Sequence, residues 1–307
     1  MSQELSNLDI PDAAVARAVA SPRRLALGAI LGLIAVGWLG LAVMVGASGV
    51  AGPGFSALGP GMGLFDRLAA WTGFERLAFP LVASSGLLVL IAGVCTVDPA
   101  SWSAAEALIH FAMWGAMVLA MMLPTAAPML RTYAEIADTA AGRGMPVVSP
   151  LVLVTGYLTI WFGFAAAATL LHWLLGLAGL ASEAGAPVAA GLGAVILAAA
   201  GIYQFLSVKA ACLVKCANPF PYLFANWTER RRGVFALGLR QGAYCLGCCW
   251  AMMLVMLAVG VMNIFWVAGL AVVMTVEKLL GAAWFSRVVG AGLLGLAAAI
   301  LWGGAVG

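Results

Sequence analysis

Long apolar stretches dominate the chain, and short polar connections separate them. About twenty apolar residues in a helix span the hydrocarbon core of a bilayer. Stretches of this kind lie at about 25–47, 79–97, 104–123, 151–175, 187–207, 236–259, 262–280 and 285–305. The composition, 64% hydrophobic and only 9% charged, is far from that of soluble proteins. The pattern predicts an all-α, polytopic transmembrane helical bundle with the lipid bilayer as its surroundings.

Lysine and arginine are concentrated in alternate connections. They lie between 131 and 143, between 209 and 240, and at 278 and 287, whereas 98–103, 179–186 and 260–263 contain none. The positive-inside rule makes the first set cytoplasmic. Arg17, Arg23 and Arg24 indicate a cytoplasmic N-terminus as well. Seven crossings satisfy both observations if one of the first two stretches is interfacial or re-entrant, and eight crossings are the alternative.

The segment from 46 to 63 is rich in glycine and includes Pro53 and Pro60, which favours a flexible connection. We therefore divide the chain into a polar N-terminal tail over 1–24, peripheral hydrophobic segments over 25–100 and a metal-binding transmembrane bundle over 101–307. The sequence contains no nucleotide-binding loop and no basic surface for nucleic acid. The net charge of +3 is explained by topology, so we expect no nucleic-acid partner.

The sixth stretch carries three cysteines in the run YCLGCCW at 244–250. A helix advances about 100° per residue, so most of the sulfur atoms of this stretch lie on one face that covers about one third of the helix circumference. The residues on that face are Gln241, Cys245, Cys248, Cys249, Met252 and Met256. Thiolate and thioether sulfurs are soft metal ligands. This face therefore predicts a metal site with the three cysteines at its centre.

A second pair of cysteines follows the fifth stretch. Cys212 and Cys216 are four residues apart and share one helix face. Lys209 and Lys215 would favour the thiolate form, which is the metal ligand and the nucleophile. Cys212 and Cys216 could therefore receive a metal or share it with the sixth stretch. The alternative interpretation is a pair of small apolar residues beside a basic membrane anchor.

The third stretch carries a row of polar and thioether side chains. Within an arc of about 80° lie Glu106, His110, Met113, Met117 and Met121. Met117 and Met121 are candidate weak ligands, and His110 is a candidate imidazole ligand. Methionine is also a flexible filler of helix interfaces, and a histidine can be satisfied by a neighbouring carbonyl. Pro124 is expected to end this helix, because proline lacks the backbone donor.

Glu277 is a further candidate, because an intramembrane carboxylate is costly and often functional. It could instead pair with the adjacent Lys278 near the interface. The predicted topology puts the candidate residues near one membrane face, which permits them to converge. They are Met117, Met121, Cys212, Cys216, Cys245, Cys248 and Glu277. His172 is expected near the opposite face, at the interface.

Three motifs carry a family resemblance: MMLPTxxP at 121–128, KxxCxxxC at 209–216 and YCxGCCW at 244–250. From about Met113 onward the chain resembles the largely uncharacterised bacterial family of predicted metal-binding integral membrane proteins. The resemblance implies metal binding, often copper handling, in a multi-pass protein of the bacterial inner (cytoplasmic) membrane. Two departures weaken the copper interpretation. Gln241 stands where members commonly have histidine, and the loop after the first helix has only Met62 where many are methionine-rich.

Thioether ligands favour Cu(I), whereas thiolates alone also suit zinc. The leading hypothesis is a membrane protein that binds Cu(I) and delivers it, with a donor or acceptor protein as partner. Cys245, Cys248 and Cys249 would hold the ion, and the methionines would form an exchange path. Cys245 and Cys248 also form a CxxC pair, so a membrane thiol-disulfide oxidoreductase or a copper-dependent redox enzyme is the alternative. The sequence leaves enzymatic activity and oligomeric state open.

Overall fold

The computed structural model describes residues 22–51, 54–73, 84, 103–180 and 187–306. Every regular element in these ranges is helical, which confirms the all-α prediction. The helices, in chain order, are α1 (Pro22–Ala51), α2 (Gly63–Thr72), α3 (Ala104–Met117), α4 (Leu123–Thr125), α5 (Ala127–Gly142), α6 (Pro150–Leu177), α7 (Ala190–Tyr203), α8 (Ser207–Ala217), α9 (Phe220–Ala225), α10 (Arg231–Val259), α11 (Ile264–Leu280) and α12 (Ala283–Val306).

In the part of the chain that the structure describes, five helical segments are long and apolar enough to cross a membrane. They are Ala26–Val50, Ala104–Thr125, Pro150–Leu177, Arg231–Val259 and Ala283–Trp302. Helices α7 and α8 are bent by 67° and would add a sixth if they form one broken span. The expected count of seven or eight stays a prediction. The second apolar stretch lies outside the described residues except for Ser84, and α11, with 17 residues, is only about 26 Å long.

Helices α6 and α10 lie backbone to backbone at the centre of the bundle. A Cβ added at Gly156 would lie 3.0 Å from Gly238 Cα, and one added at Gly238 would clash with the Leu153 carbonyl. Small residues permit this close approach of helices. The contact brings Tyr157 of α6 against Cys245 of α10, so the glycines position a tyrosine beside a thiol.

The helical segment that begins with α3 ends at Thr125, one residue after Pro124, in agreement with the expected end. A π-helical turn, Val118–Met122, links α3 to α4. Proline removes a backbone donor and crowds the preceding turn, and a wider π turn accommodates both effects. The Met122 carbonyl accepts hydrogen bonds from Tyr157 Oη and Thr125 Oγ1, each at 2.9 Å. The same carbonyl accepts from Ala126 N at 3.2 Å, so the backbone and two side chains meet at this oxygen inside the bundle.

The glycine- and proline-rich connection contains a folded turn, Phe55–Leu58. Asp66 accepts hydrogen bonds from Phe55 N at 2.7 Å and Ser56 N at 2.8 Å. Asn263, at the start of α11, donates to the Pro60 carbonyl at 2.9 Å. The expectation that this connection lacks an element is wrong for its described part, because side chains satisfy its backbone groups.

Helix α1 also contacts the bundle closely. A Cβ added at Gly37 would lie 2.7 Å from Ala120 N and 2.9 Å from the Ala116 carbonyl. Only a glycine permits this approach to α3 and its π turn. The division into segments 1–24, 25–100 and 101–307 stays a prediction, because 1–21 and most of 74–102 lie outside the described residues.

Candidate metal centre

Four cysteine side chains meet in the interior of the bundle, where α8 packs against α10. Cys248 Sγ lies 3.3 Å from Cys249 Sγ and 3.8 Å from Cys216 Sγ. The Cys245 thiol interacts with the other three. All four are buried and free of disulfides. We call Cys216, Cys245, Cys248 and Cys249 the thiol cluster.

The thiol cluster lies deep along α10. Cys245 is 14 residues from Arg231 at one end and 14 from Val259 at the other, a rise of about 21 Å on each side. The candidate ligands of the sixth stretch are therefore far from both ends of the helix. A metal ion bound there would be removed from bulk water.

Cys212, the other cysteine of α8, lies at the edge of the thiol cluster. It is partly exposed, and a Cβ added at Gly247 would lie only 2.7 Å from Cys212 Sγ. The missing side chain of Gly247 thus provides the space that the Cys212 thiol occupies. The structure brings one member of the predicted pair, Cys216, into the cluster and leaves Cys212 beside it.

Lys278 points into the thiol cluster. Its Nζ lies 2.9 Å from Cys245 Sγ and donates to Thr125 Oγ1 at 2.7 Å. The side chain is buried, with 2% of its surface exposed. Tyr157 Oη lies 2.9 Å from the same Cys245 sulfur. The buried ammonium of Lys278 favours a thiolate at Cys245, whereas the Tyr157 hydroxyl donates its one proton to the Met122 carbonyl and faces the sulfur with its oxygen.

Glu277 has a different environment. Its Oε1 lies 2.5 Å from Lys209 Nζ and accepts from Ser286 Oγ at 2.5 Å. Lys209 also contacts the Gln204 side chain. Consecutive helical residues point about 100° apart, so Glu277 and Lys278 face different neighbours. The structure places Glu277 in a buried ion pair between α8 and α11.

The candidate methionines are completely buried in the same core as the thiol cluster. At most 1% of each side chain is exposed, and the set is Met117, Met121, Met252 and Met256. Gln241, one turn before Cys245, is also buried. Among the described residues its Nε2 atom is a buried donor with no hydrogen-bond partner. An unsatisfied amide beside a thiol cluster is a feature that bound ligands often explain.

His110 lies apart from the thiol cluster. It packs against His172, with ring centroids 5.2 Å apart. His172 is buried in the bundle, and its expected position at the membrane interface stays a prediction. Lys278, Tyr157 and His172 were absent from the predicted ligand set. The sequence did contain a signal for Lys278, because it is adjacent to an intramembrane carboxylate. Neighbouring positions of a helix point in different directions, so the lysine needs a partner other than that of the carboxylate.

The side chains are not preset around an ion. Within the described part of the chain, no three His, Cys, Asp or Glu side chains form a group that could hold one metal. A pair of ligands is nevertheless in place. Two sulfurs that bond one ion at about 2.3 Å with a tetrahedral angle lie about 3.8 Å apart, which is the separation of Cys216 and Cys248. Side-chain rotation would have to bring a third sulfur.

A family model described as PpoB2, copper chaperone, matches residues 111–300. The match includes the whole thiol cluster together with Tyr157 and Lys278. No curated protein and no solved structure matches the chain. The matched range covers more than half of the 307 residues, and the description agrees with the soft ligands of the site.

Proposed function

The chain belongs to the PpoB2 copper chaperone family, and from this premise we propose that it binds Cu(I) inside a membrane and delivers it to an acceptor protein. Copper is the cargo in this proposal. The single observation that carries it is the thiol cluster with a buried lysine against it. The membrane would be the bacterial inner membrane, crossed several times, with the arginine-rich connections in the cytoplasm.

Charge explains why a lysine belongs in this site. Cu(I) with two thiolates carries one net negative charge, and an unbalanced charge is expensive in an apolar interior. Lys278 supplies one positive charge, 2.9 Å from Cys245 Sγ. Its charge also acts on Cys216 and Cys249. A bis-thiolate copper site next to this lysine is therefore neutral overall.

The same sum argues against zinc. Zn²⁺ in a closed structural site takes four ligands, and four thiolates would leave two negative charges against one ammonium. Copper in the monovalent state needs fewer thiolates and prefers soft donors. We therefore assign Cys216 and Cys248 as the two thiolate ligands, since their sulfurs lie 3.8 Å apart, and a neutral sulfur donor as a third.

Delivery requires that the ion can leave. Thioethers are neutral and bind more weakly than thiolates, so Met117, Met121, Met252 and Met256 would form an exchange path within the core. Cys212, partly exposed at the edge of the cluster, would be the thiol that meets the donor or acceptor first. Each thiol that binds copper releases its proton, so uptake is expected to weaken as the pH falls.

The test is an anaerobic Cu(I) titration of the protein in mild detergent, against a chelator that competes for the ion. The intact chain should bind one Cu(I) ion with the high affinity of thiolate ligands, and Cys248→Ser should lose this tightly bound ion. Cys95→Ser, a change of the same kind in the second apolar stretch, is the matched control and should bind as the intact chain does. Unchanged copper binding in Cys248→Ser would refute the assignment. A reversible Cys216–Cys248 disulfide without copper would support thiol-disulfide exchange instead.

A further inference from the structure

The two histidines of the chain meet in the bundle. The chain contains only His110 and His172, which come from α3 and α6. Their ring centroids are 5.2 Å apart and their planes are inclined by 83°. Each has 5% of its surface exposed. Two imidazoles from separate helices thus share one buried position, which we call the histidine pair.

The ring of His110 is held in one orientation. Its Nδ1 atom lies 3.0 Å from the Glu106 carbonyl oxygen. A carbonyl only accepts, so Nδ1 carries the proton and the lone pair lies on Nε2. Histidines that bind metals usually donate their other ring nitrogen to a carbonyl or carboxylate in this way. In this tautomer Nε2 is the ring nitrogen of His110 that can bind a metal.

The histidine pair and the thiol cluster are at different depths. His110 lies in the second turn of α3, whereas Thr125, which contacts Lys278 of the cluster, follows at the other end of the same helical segment. Fifteen residues separate the two, a rise of about 22 Å. His172 lies five residues before the end of α6. The pair is therefore near the ends of α3 and α6 that lie opposite the thiol cluster.

Buried thioethers lie between the two positions. Met113, Met117 and Met121 follow His110 at intervals of three, four and four residues, and at most 4% of each is exposed. The π turn Val118–Met122 lies at the far end of this row. Cu(I) accepts all three kinds of ligand in this row: the imidazole at one end, the thioethers along the helix and the thiols at the other end.

We propose that His110 and His172 form a second Cu(I) site, from which the ion exchanges with the thiol cluster along the methionines of α3. This site extends the proposed function and rests on it. Imidazole is neutral, so Cu(I) held by the pair keeps its positive charge, partly offset by Glu106, whose charge acts on His110. Binding at the pair is consequently weaker than at the thiols, which suits a transfer position.

The experiment is a titration with two equivalents of Cu(I) in mild detergent, followed by X-ray absorption at the copper edge. The first equivalent should show sulfur neighbours, and the second should add the multiple scattering that imidazole produces. His172→Asn should lose the second equivalent and keep the first. Thr169→Val, which removes a half-buried hydroxyl on the same helix, is the matched control and should keep both.

The outcomes separate the two proposals. Retention of the first equivalent by His172→Asn also shows that the variant is folded. A second equivalent that persists unchanged in His172→Asn, or an intact chain that binds only the sulfur-ligated ion, overturns the histidine site and leaves the proposed function standing. Failure of the first equivalent overturns the proposed function. A Cys216→Ser/Cys248→Ser chain that retains one ion with imidazole scattering would establish the histidine site on its own.

Discussion

Two buried lysines of the bundle have different partners. Lys209, completely buried, lies against the carboxylate of Glu277 and the amide of Gln204. Lys278, equally inaccessible, lies against the Cys245 thiol and the Thr125 hydroxyl. A carboxylate is a permanent anion near neutral pH, whereas a thiol provides one only when it is deprotonated or bound to metal. Lys209 is therefore always next to an anion. Lys278 faces a full negative charge only when the Cys245 thiol is deprotonated or bound to metal.

This difference separates a structural charge from a functional one. The ion pair of Lys209 and Glu277 joins α8 to α11, and it holds the helix that carries Cys216 against the helix that carries Lys278. Breaking it should affect folding first. Removing Lys278 should affect copper first, because its ammonium places a positive charge 2.9 Å from Cys245 Sγ.

Glu277→Gln should give the largest loss of stability. It leaves Lys209 buried without its anion, and removing one partner of a buried pair costs about 3–5 kcal/mol. Equilibrium unfolding in mild detergent would measure the loss. The double variant Lys209→Met/Glu277→Leu is the control, because it removes both charges and should recover most of the stability. A single variant as stable as the intact chain would contradict the structural role.

Lys278→Met should weaken Cu(I) binding with a smaller effect on folding. Partners of metal ligands typically contribute about 10- to 100-fold in affinity, and this one also balances the charge of the thiolates. Chelator competition measures the affinity. Lys278→Arg retains the charge and should bind more tightly than Lys278→Met. Equal affinities in the two variants would show that the positive charge has no part in copper binding.

Much of this comparison follows from the sequence, and part of it does not. The spacing of Cys245, Cys248 and Cys249 indicated the cluster, because helical periodicity alone places them on one face. Cys216 could only be a candidate, since its approach to Cys248 depends on how α8 packs beside α10. Lys278 was missed because the prediction paired it with Glu277, and the true partner of Glu277 lies 68 residues away.

Tyr157→Phe tests the second group on Cys245 and should have a smaller effect than Lys278→Met. The phenol lies 2.9 Å from the Cys245 sulfur and donates to the Met122 carbonyl at 2.9 Å. When Cys245 loses its proton, the phenol can turn its own proton from the Met122 carbonyl to the sulfur. A typical hydrogen bond contributes about 1 kcal/mol, which corresponds to about a fivefold loss of copper affinity in the variant. The same chelator competition measures it. Thr159→Val, on the exposed side of α6, is the control and should change nothing.

The smallest expected effect concerns the carboxylate of Asp66, which accepts hydrogen bonds from backbone amides. Asp66 is half-buried. Burial raises its pKa, but hydrogen bonds from Ser56 and Phe55 outweigh this effect and leave the pKa below its usual value of 3.8. Because the folded pKa is the lower one, the stabilisation is complete above about pH 4 to 5 and is lost as the pH falls through the folded pKa. Thermal unfolding of the intact chain and of Asp66→Asn, compared at neutral pH and near pH 3, should show a difference that shrinks in acid. A difference that stays constant would mean that the Asp66 carboxylate charge contributes nothing to the turn, in contrast to the buried pair of Lys209 and Glu277.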